Sequence, residues 1–513
     1  MLDFKTLQSN PLVSYSILKP NSITNPINLT EKEKQIFDVF KEIIEEKNLK
    51  NIELRVVGGW VRDHLLNIPS NDIDISIKGL DTNTFARFIN EKVNKGDKNK
   101  YAIVNTTIKK ANKNNIELTK TKINDLMIDL VELKQNALED AKRRDFTFNA
   151  LFYNILENKI EDLLESGIND LKNGFIRECI SNYHDNNYDS LRILRMIRFA
   201  AKYQFIIDDT YLSYIVNNKK FLQNGLLTSV SKEITHKEIY SIFSGPNPSF
   251  AIYTLYRLNL LKEILHLDEE YKDSKEAIFS EKDILNCVNI FIIGKKVFDK
   301  YKSYFEGENY NDSYKCSFYS LLLTLHMKNF NDKNYNNLAK IVLAKVLKLE
   351  TKTSLKIINH FDEFNNFISK NEYKKLNVGI LIRTILASNI SIMIIISTAN
   401  EYVNKINPTD VLDKIDEDLI DNIFQKYYEF YKYMKKEKME NVCQIKSIID
   451  GKKIKEIFKI PDKYIGELLT TLINKQIETS NNLTEEDAKN VLKSRIEELK
   501  IEYCKDNMIN NLK

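Results

Sequence analysis

LRVVGGWVRDHLLNIPSNDIDISI, residues 54–77, decides how the N-terminal part of the chain is read. An apolar run, Leu54–Val57, stops at a paired glycine, Gly58-Gly59, and the WVRDHLL that follows has a helical pattern. Strand, glycine pair and helix together allow close backbone approach and leave free N–H groups at a helix N-terminus, a ready place for phosphate. Arg62 lies one helical turn in and can add a charge to phosphates or pair with Asp63. The stretch ends in NDIDISI. Side chains alternate along a strand, so Asp72 and Asp74 share one face while Ile73, Ile75 and Ile77 share the other. Neighbouring carboxylates raise each other's pKa, and the pair costs stability unless a cation sits between them. Mg²⁺ answers that need, because it takes one or two carboxylates together with substrate phosphates. Alone, such a pair of acids reads as a solvated strand end, and a glycine pair as a tight turn. Their succession, a phosphate cradle and then carboxylates on the next strand, is what two-metal phosphoryl transfer requires.

The rest of the chain sets bounds around this stretch. At 513 residues it has room for three or four units at roughly 150 residues each. Apolar residues make up 43%, enough for a real core. The net charge of +4 is too small to argue for a nucleic-acid partner, although a local basic face remains open. The cysteines, Cys179, Cys287, Cys316, Cys443 and Cys504, form no CxxC pair and the histidines no HExxH motif. That argues against a disulfide framework or a structural zinc site and suits a reducing compartment. Thr384–Asn400 is apolar but interrupted by Ser388, Asn389, Ser391 and Ser397. It falls short of the about 20 apolar residues of a span and reads as a buried core helix, with no membrane partner. A cytoplasmic location is expected. The acid-poor but also Arg-poor N-terminus leaves a mitochondrial or plastid pool open, and a nuclear one is open as well.

Glu31–Lys47 has helical spacing, with Thr30 as N-cap. Short apolar runs follow at 54–57, 73–77, 101–107, 116–123 and 127–133, and read as a small sheet with helices between its strands. From about Asp189 the pattern turns helical almost throughout, as in Leu191–Tyr203, Phe250–Leu265, Tyr319–Lys328 and Leu338–Leu349. Gly245-Pro246-Asn247-Pro248 marks a helix stop. The expected architecture is an α+β head carrying a small mixed sheet, followed by an elongated all-α neck, body and tail. The boundaries expected are an extension without clear period at 1–30, the head at 31–180, the neck at 181–265, the body at 266–400 and the tail at 401–513.

At this point the motifs carry a resemblance. Residues 58–77, GGWVRDHLLNIPSNDIDISI, resemble the glycine-pair and paired-aspartate motif of the polymerase-β-like nucleotidyltransferases. Within that superfamily the match is to the class II CCA-adding tRNA nucleotidyltransferases and bacterial poly(A) polymerases. DAKRRDFTFNALFYNI (140–155) resembles the family's RRD motif, GINDLKNGFIR (167–177) its linker, DSLRILRMIRFAAKYQF (189–205) its nucleobase-reading motif, and SVSKEITHKEI with GPNP (229–248) its neck helices. A fainter echo, DGKKIKEIF and IGELL, lies between 450 and 469. The GPNP neck, the IDLVELK segment and the long C-terminal arm resemble the eukaryotic CCA enzymes more than the poly(A) polymerases.

The resemblance implies an enzyme that adds CCA to tRNA 3′ ends from CTP and ATP. A poly(A) or partial CCA-adding activity is the first alternative, and an inactive tRNA-binding scaffold the second. Asp72 and Asp74 would hold two Mg²⁺ ions, with Glu117 as a further catalytic carboxylate and Asp129 as its alternative. Gly58, Gly59, Arg62 and Asp63 would belong to the triphosphate site, and Arg143, Arg144 and Asp145 to the ribose and phosphate contacts. Local pattern places those three at a helix start, with Phe146, Phe148 and Leu151 in the core. Asp189 and Arg192, three apart on one helix face, would read the edges of C and A, with Arg195 and Arg198 continuing the basic face. Two residues depart from the family pattern, Tyr188 before Asp189 and Ile234 after Glu233. They put base-selection detail and neck packing, respectively, in question. The partners implied are tRNA, CTP and ATP, with the chain a monomer or homodimer.

Overall fold

The computed structural model describes residues 2–17, 27–70, 72–93, 118–123, 126–133, 136–179, 189–228, 230–265, 280–305, 307–329, 339, 342–343, 351–383 and 389–499. The chain divides into two compact units, Met1–Ile264 and Leu265–Lys513.

The first unit opens with helix α1 (Phe4–Gln8), α2 (Glu31–Glu46), strand β1 (Glu53–Val57), α3 (Gly59–Leu65), β2 (Asp72–Lys78) and α4 (Thr82–Val93). Next come β3 (Leu118–Ile123), β4 (Leu126–Glu132), α5 (Ala137–Arg143), a short hairpin of β5 (Phe152–Asn154) and β6 (Lys159–Glu161), α6 (Gly167–Asn173) and β7 (Phe175–Ile176). The six longer-range strands form one mixed sheet in the order β3-β4-β2-β1-β5-β6. Only β2 and β4 run parallel; the other neighbours are antiparallel. Helices follow: α7 (Leu191–Tyr203), then, after the two-residue β8 (Ile206–Ile207), α8 (Asp209–Asn217), α9 (Lys219–Thr228), α10 (Lys232–Phe243) and α11 (Pro248–Arg257).

The local causes are legible. Thr30 caps α2 in a capping box: its hydroxyl accepts from the Glu33 N–H, and the Glu33 carboxylate accepts from the Thr30 N–H. Ile73, Ile75 and Ile77 of β2 are fully buried, each worth roughly 1.5–3 kcal/mol over an exposed position. That anchoring fixes the strand's register and leaves Asp72 and Asp74 on the outward face. Asn247 caps α11 and Pro248 opens it, as the turn residues require.

Three differences from the sequence reading stand out. The β5–β6 hairpin was not visible, because three-residue strands are too short to show a period. The Arg143-Arg144-Asp145 run sits at the end of α5, not at a helix start, and only a single 3₁₀ turn, Thr147–Asn149, follows. Asn136, whose side chain accepts from the Glu139 N–H, is the cap that starts the helix seven residues earlier. Finally, the N-terminal segment has no period yet is docked. Phe4 N–H donates to Asp209 at 2.7 Å, Tyr15 Oη donates to the Phe205 carbonyl at 2.7 Å, and Tyr15 meets Phe250 edge-on at 4.7 Å. The 101–107 run and most of 338–349 lie outside the described residues.

Among the described residues, the regular elements of the second unit are all helices. Its long helices are Glu281–Tyr301, Asp312–Thr324, Ile390–Ile406 and Glu417–Lys436. Ile390–Ile406 is buried from Ile390 to Ala399 and exposed in its last turn, and no helix among the described residues is long and apolar enough to cross a membrane. Gly294 brings two helices together: a Cβ there would meet Leu322 Cδ2 at 2.3 Å. Tyr301 stacks on Phe424 at 3.7 Å between ring centres. Nearer the C-terminus, Ile449, Ile454, Phe458, Leu468, Leu472, Leu492 and Ile496 close a small core of their own.

Candidate active site

The site is built on the outward face of the mixed sheet. One line of cross-strand partners runs Phe152 (β5), Val57 (β1), Asp74 (β2), Asp129 (β4), Lys120 (β3). Asp72 stands two residues before Asp74 on the same face. Asp129 is thus the carboxylate that the fold sets directly beside Asp74, through the parallel β2–β4 pairing. Glu117, the other candidate, lies outside the described residues. Partial burial of the Asp74 carboxyl, then the charges of Asp129 and Asp72, raise its pKa, against the opposing pull of Arg144 and Lys120.

Asp72, Asp74 and Asp129 concentrate negative charge at this place on the sheet. The donor set also suits a hard divalent metal: carboxylate oxygens at a sheet surface, open toward a substrate that brings further oxygens. Among the described residues no three acidic, histidine or cysteine side chains converge into a finished metal cage. Two carboxylates completed by phosphate oxygens are what Mg²⁺ takes. Asp129 is meanwhile ion-paired with the ammonium of Lys120.

The glycine turn stands at the end of β1. Gly58 has φ +74° and ψ −128°, a conformation that only glycine adopts readily. A Cβ on Gly58 would lie 3.1 Å from Arg144 Nη1. Arg144 therefore reaches the glycine turn from the far side. It is held by Asp140 Oδ2, which accepts from Nε at 3.1 Å and from Nη2 at 2.9 Å, and it lies over the Phe152 ring. Arg143 also pairs with Asp140 but remains more than half exposed.

Arg62 makes the pair with Asp63 that its sequence neighbourhood allows. It is buried, with Nε donating to Asp63 at 2.8 Å and Nη1 to Asn149 at 2.6 Å, and it lies over the rings of Tyr203 and Phe199. One edge nevertheless lies under the turn, since Nη2 is 3.3 Å from where a Gly59 Cβ would stand. Asp63 accepts from Tyr203 Oη at 2.9 Å, which ties α3 to α7.

α7 supplies the second wall. Arg192, Arg195, Arg198 and Lys202 recur at helical spacing. Arg192 donates to the Arg143 carbonyl at 2.8 Å and faces Glu178 at 4.0 Å. It makes no ion pair with Asp189, whose carboxylate instead accepts from the Leu191 N–H at 3.0 Å. Both side chains therefore keep polar groups that are not spent on each other.

Arg195 Nε donates a hydrogen bond to Asp145 Oδ2 at 2.7 Å, and Nη2 lies 2.7 Å from the same oxygen in an ion pair. Asp145 Oδ1 accepts from the Phe146 N–H and from Asn149. These three hydrogen bonds and the ion pair occupy most of the carboxylate's acceptor sites. Although burial works the other way, Arg195 and these hydrogen bonds hold Asp145 below the usual carboxylate range. Arg198 lies 4.1 Å over the Phe199 ring, and its Nε donates to Glu238 at 2.6 Å. Ile234 is exposed, while α10 packs through Ile239, Ile242 and Phe243, so the departure at Ile234 lies off the helix's packed face.

Sequence reasoning missed Asn149, Lys120 and Glu238. Asn149 bridges Arg62 to Asp145, and Glu238 bridges Arg195 to Arg198. No spacing links residues on different elements, so only a buried charge in an otherwise apolar helix face, as at Glu238, could have hinted at the role.

The comparisons with known proteins follow this geometry. Residues 54–177 match the family model of the poly A polymerase head domain. The chain is 26% identical over 537 residues to the mitochondrial CCA tRNA nucleotidyltransferase of Saccharomyces cerevisiae, covering 94% of this chain and 96% of that one. It is 33% identical over 258 residues to the tRNA nucleotidyltransferase cca2 of Schizosaccharomyces pombe, covering 45% and 53%. In fold it is similar to a CCA-adding enzyme in its apo form, with TM-score 0.59, 18% identity and coverage of 91% and 96%. It is also similar to the Thermotoga maritima CCA-adding enzyme complexed with tRNA, with TM-score 0.54, 18% identity and coverage of 96% and 99%. Residues 54–177 thus carry a poly A polymerase head domain, and the likeness to CCA tRNA nucleotidyltransferases runs through the helical part as well.

Proposed function

We propose that this chain is a CCA tRNA nucleotidyltransferase, which adds or repairs the 3′-terminal CCA of tRNA from CTP and ATP and releases pyrophosphate. The observation that carries the reading is the alignment of Asp74 and Asp129 across β2 and β4, beside Asp72 and within reach of the Arg144 charge at the Gly58 turn. Asp72 and Asp74, with Asp129 beside them, would hold the divalent metal, two Mg²⁺ in this reading, whose chemistry is to acidify the tRNA 3′-hydroxyl and neutralise the leaving pyrophosphate.

The remaining roles belong to the chain's own groups. The Gly58–Gly59 turn and Arg144 bind the triphosphate, and Arg62 stiffens that turn from beneath. Asp145 reads the ribose by exchanging one of its hydrogen-bond donors for the 2′-hydroxyl. Asp189 and Arg192 present an acceptor and a donor to the base edge, so that protein takes the place of a template strand. The helical unit would hold the tRNA by shape and phosphate, as RNA helices are usually held. A mitochondrial pool fits the likeness to the mitochondrial CCA tRNA nucleotidyltransferases of Saccharomyces cerevisiae and Candida glabrata.

The test is an extension assay at single-nucleotide resolution on a tRNA lacking its CCA, with Mg²⁺ and CTP, ATP or both. Two additions from CTP, and a final A only when both nucleotides are present, are expected. A long A ladder from ATP alone would move the chain to poly(A) synthesis, the activity in the name of the matched head domain. In the same assay Asp189→Ala should blur the choice between C and A more than it slows addition.

A further inference from the structure

Lys120 is not accounted for by any of these roles. It lies on β3, directly across from Asp129 on β4, and its ammonium is ion-paired with Asp129 Oδ2. Asp129 in turn lies directly across from Asp74. The sheet thus carries a row of Asp74, Asp129 and Lys120, with Arg144 contributing a positive charge from the other side. The acid pair is bracketed by cations that the chain itself supplies.

The two brackets differ in how firmly they are held. Arg144 is fixed by two hydrogen bonds to Asp140 and is mostly covered. The Lys120 side chain is 41% exposed and Asp129 is 22% exposed. A flexible four-carbon stem at that exposure can leave its partner at low cost. Resting on the proposed phosphoryl-transfer reading, we infer that Lys120 is an internal counter-ion, a positioning residue that occupies Asp129 until a divalent metal takes its place. Metal entry then displaces one ammonium and recruits Asp129 as a third carboxylate beside Asp72 and Asp74. The displaced ammonium stays at the rim of the site, where a polyphosphate chain arrives.

The consequence is a competition that can be measured without turnover. The full-length protein would be titrated with MgCl₂ or MnCl₂ at constant ionic strength, without nucleotide or RNA, and its thermal transition followed. Lys120→Met keeps the stem and removes the charge. The half-saturating metal concentration should fall about two- to fivefold, the fold-change that an exposed ion pair of this kind represents. Lys120→Arg should leave it near the original value. In an Asp129→Asn background, Lys120→Met should have no effect. An unchanged midpoint in Lys120→Met, or a shift that persists undiminished in the Asp129→Asn background, overturns the inference. If Lys120→Met does not fold, Lys120→Gln serves in its place. A metal response that survives in Asp74→Asn would point instead to failure of the metal-site reading, and the Lys120 inference would fall with it.

Discussion

Replacing Glu238 by alanine removes one carboxylate that serves two arginines. Glu238 is 8% exposed, accepts from Arg198 Nε at 2.6 Å and faces Arg195 Nη1 at 3.7 Å. Arg198 is already under pressure: burial, with Arg195 and Arg62 close by, lowers its pKa in spite of Glu238. Taking the carboxylate away leaves that guanidinium buried with the ring of Phe199 as its main neighbour. Breaking a buried pair from one side costs about 3–5 kcal/mol, and the partial exposure of Arg195 argues for the lower end, about 3 kcal/mol. For a unit of this size that corresponds to a fall in Tm of about 6–12 °C. The chain offers a clean probe. Its single tryptophan, Trp60, lies buried in the first unit with its ring 3.9 Å from that of His64, so its fluorescence follows that unit within the intact protein. Glu238→Gln, which keeps an acceptor but not the charge, should lose roughly half as much. A Tm within about 2 °C of the parent for Glu238→Ala, with Glu238→Gln indistinguishable from it, would refute the claim that this carboxylate holds the two arginines.

Three further outcomes are expected. Asp72→Ala or Asp74→Ala should lower nucleotide addition by about 10³-fold or more while tRNA binding, followed by a gel shift, persists; retained addition in either variant would remove the metal assignment. Gly58→Ala forces an L side chain to φ +74° and brings its Cβ within 3.1 Å of Arg144 Nη1, so a strain of about 1–3 kcal/mol and a raised KM for nucleotide are expected in steady-state kinetics. Glu33 accepts from Trp60 Nε1 at 2.8 Å and pairs with His64 at 3.0 Å, and although burial opposes it, His64 and Thr30 bring its pKa from 4.5 down to about 2. Its stabilising contribution is therefore present in full above pH 4.5 and fades as pH falls toward about 2. The Tm difference between the parent and Glu33→Gln should narrow over that interval, and a constant difference would show that its charge is not what matters.

What could be read from the sequence was what local pattern controls. The period of two in NDIDISI placed Asp72 and Asp74 outward and the isoleucines inward, as β2 has them. The glycine pair ended β1 and opened α3 because Gly58 needs a positive φ that other residues resist. The 3.6-residue period of α7 put its arginines on one face. These features are set by neighbours within a few residues, so they survive in a string of letters.

The tertiary structure decided everything that depends on which elements meet. Asp129 became the partner of Asp74 only because β2 and β4 run parallel in that register, and a one-residue slip would have turned it to the other face. Arg62 could meet phosphate or pair with Asp63; the pair is formed, and the rings of Phe199 and Tyr203 from α7 lie against it. Arg143-Arg144-Asp145 looked like a helix start, yet the Asn136 cap began the helix earlier, and Arg195 rather than solvent took up the charge of Asp145. Sequence chose the chemical groups and their local facing. Long-range strand register and helix packing chose their partners, because a carboxylate's charge and hydrogen bonds are settled by whichever atoms come within about 4 Å, whatever their distance along the chain.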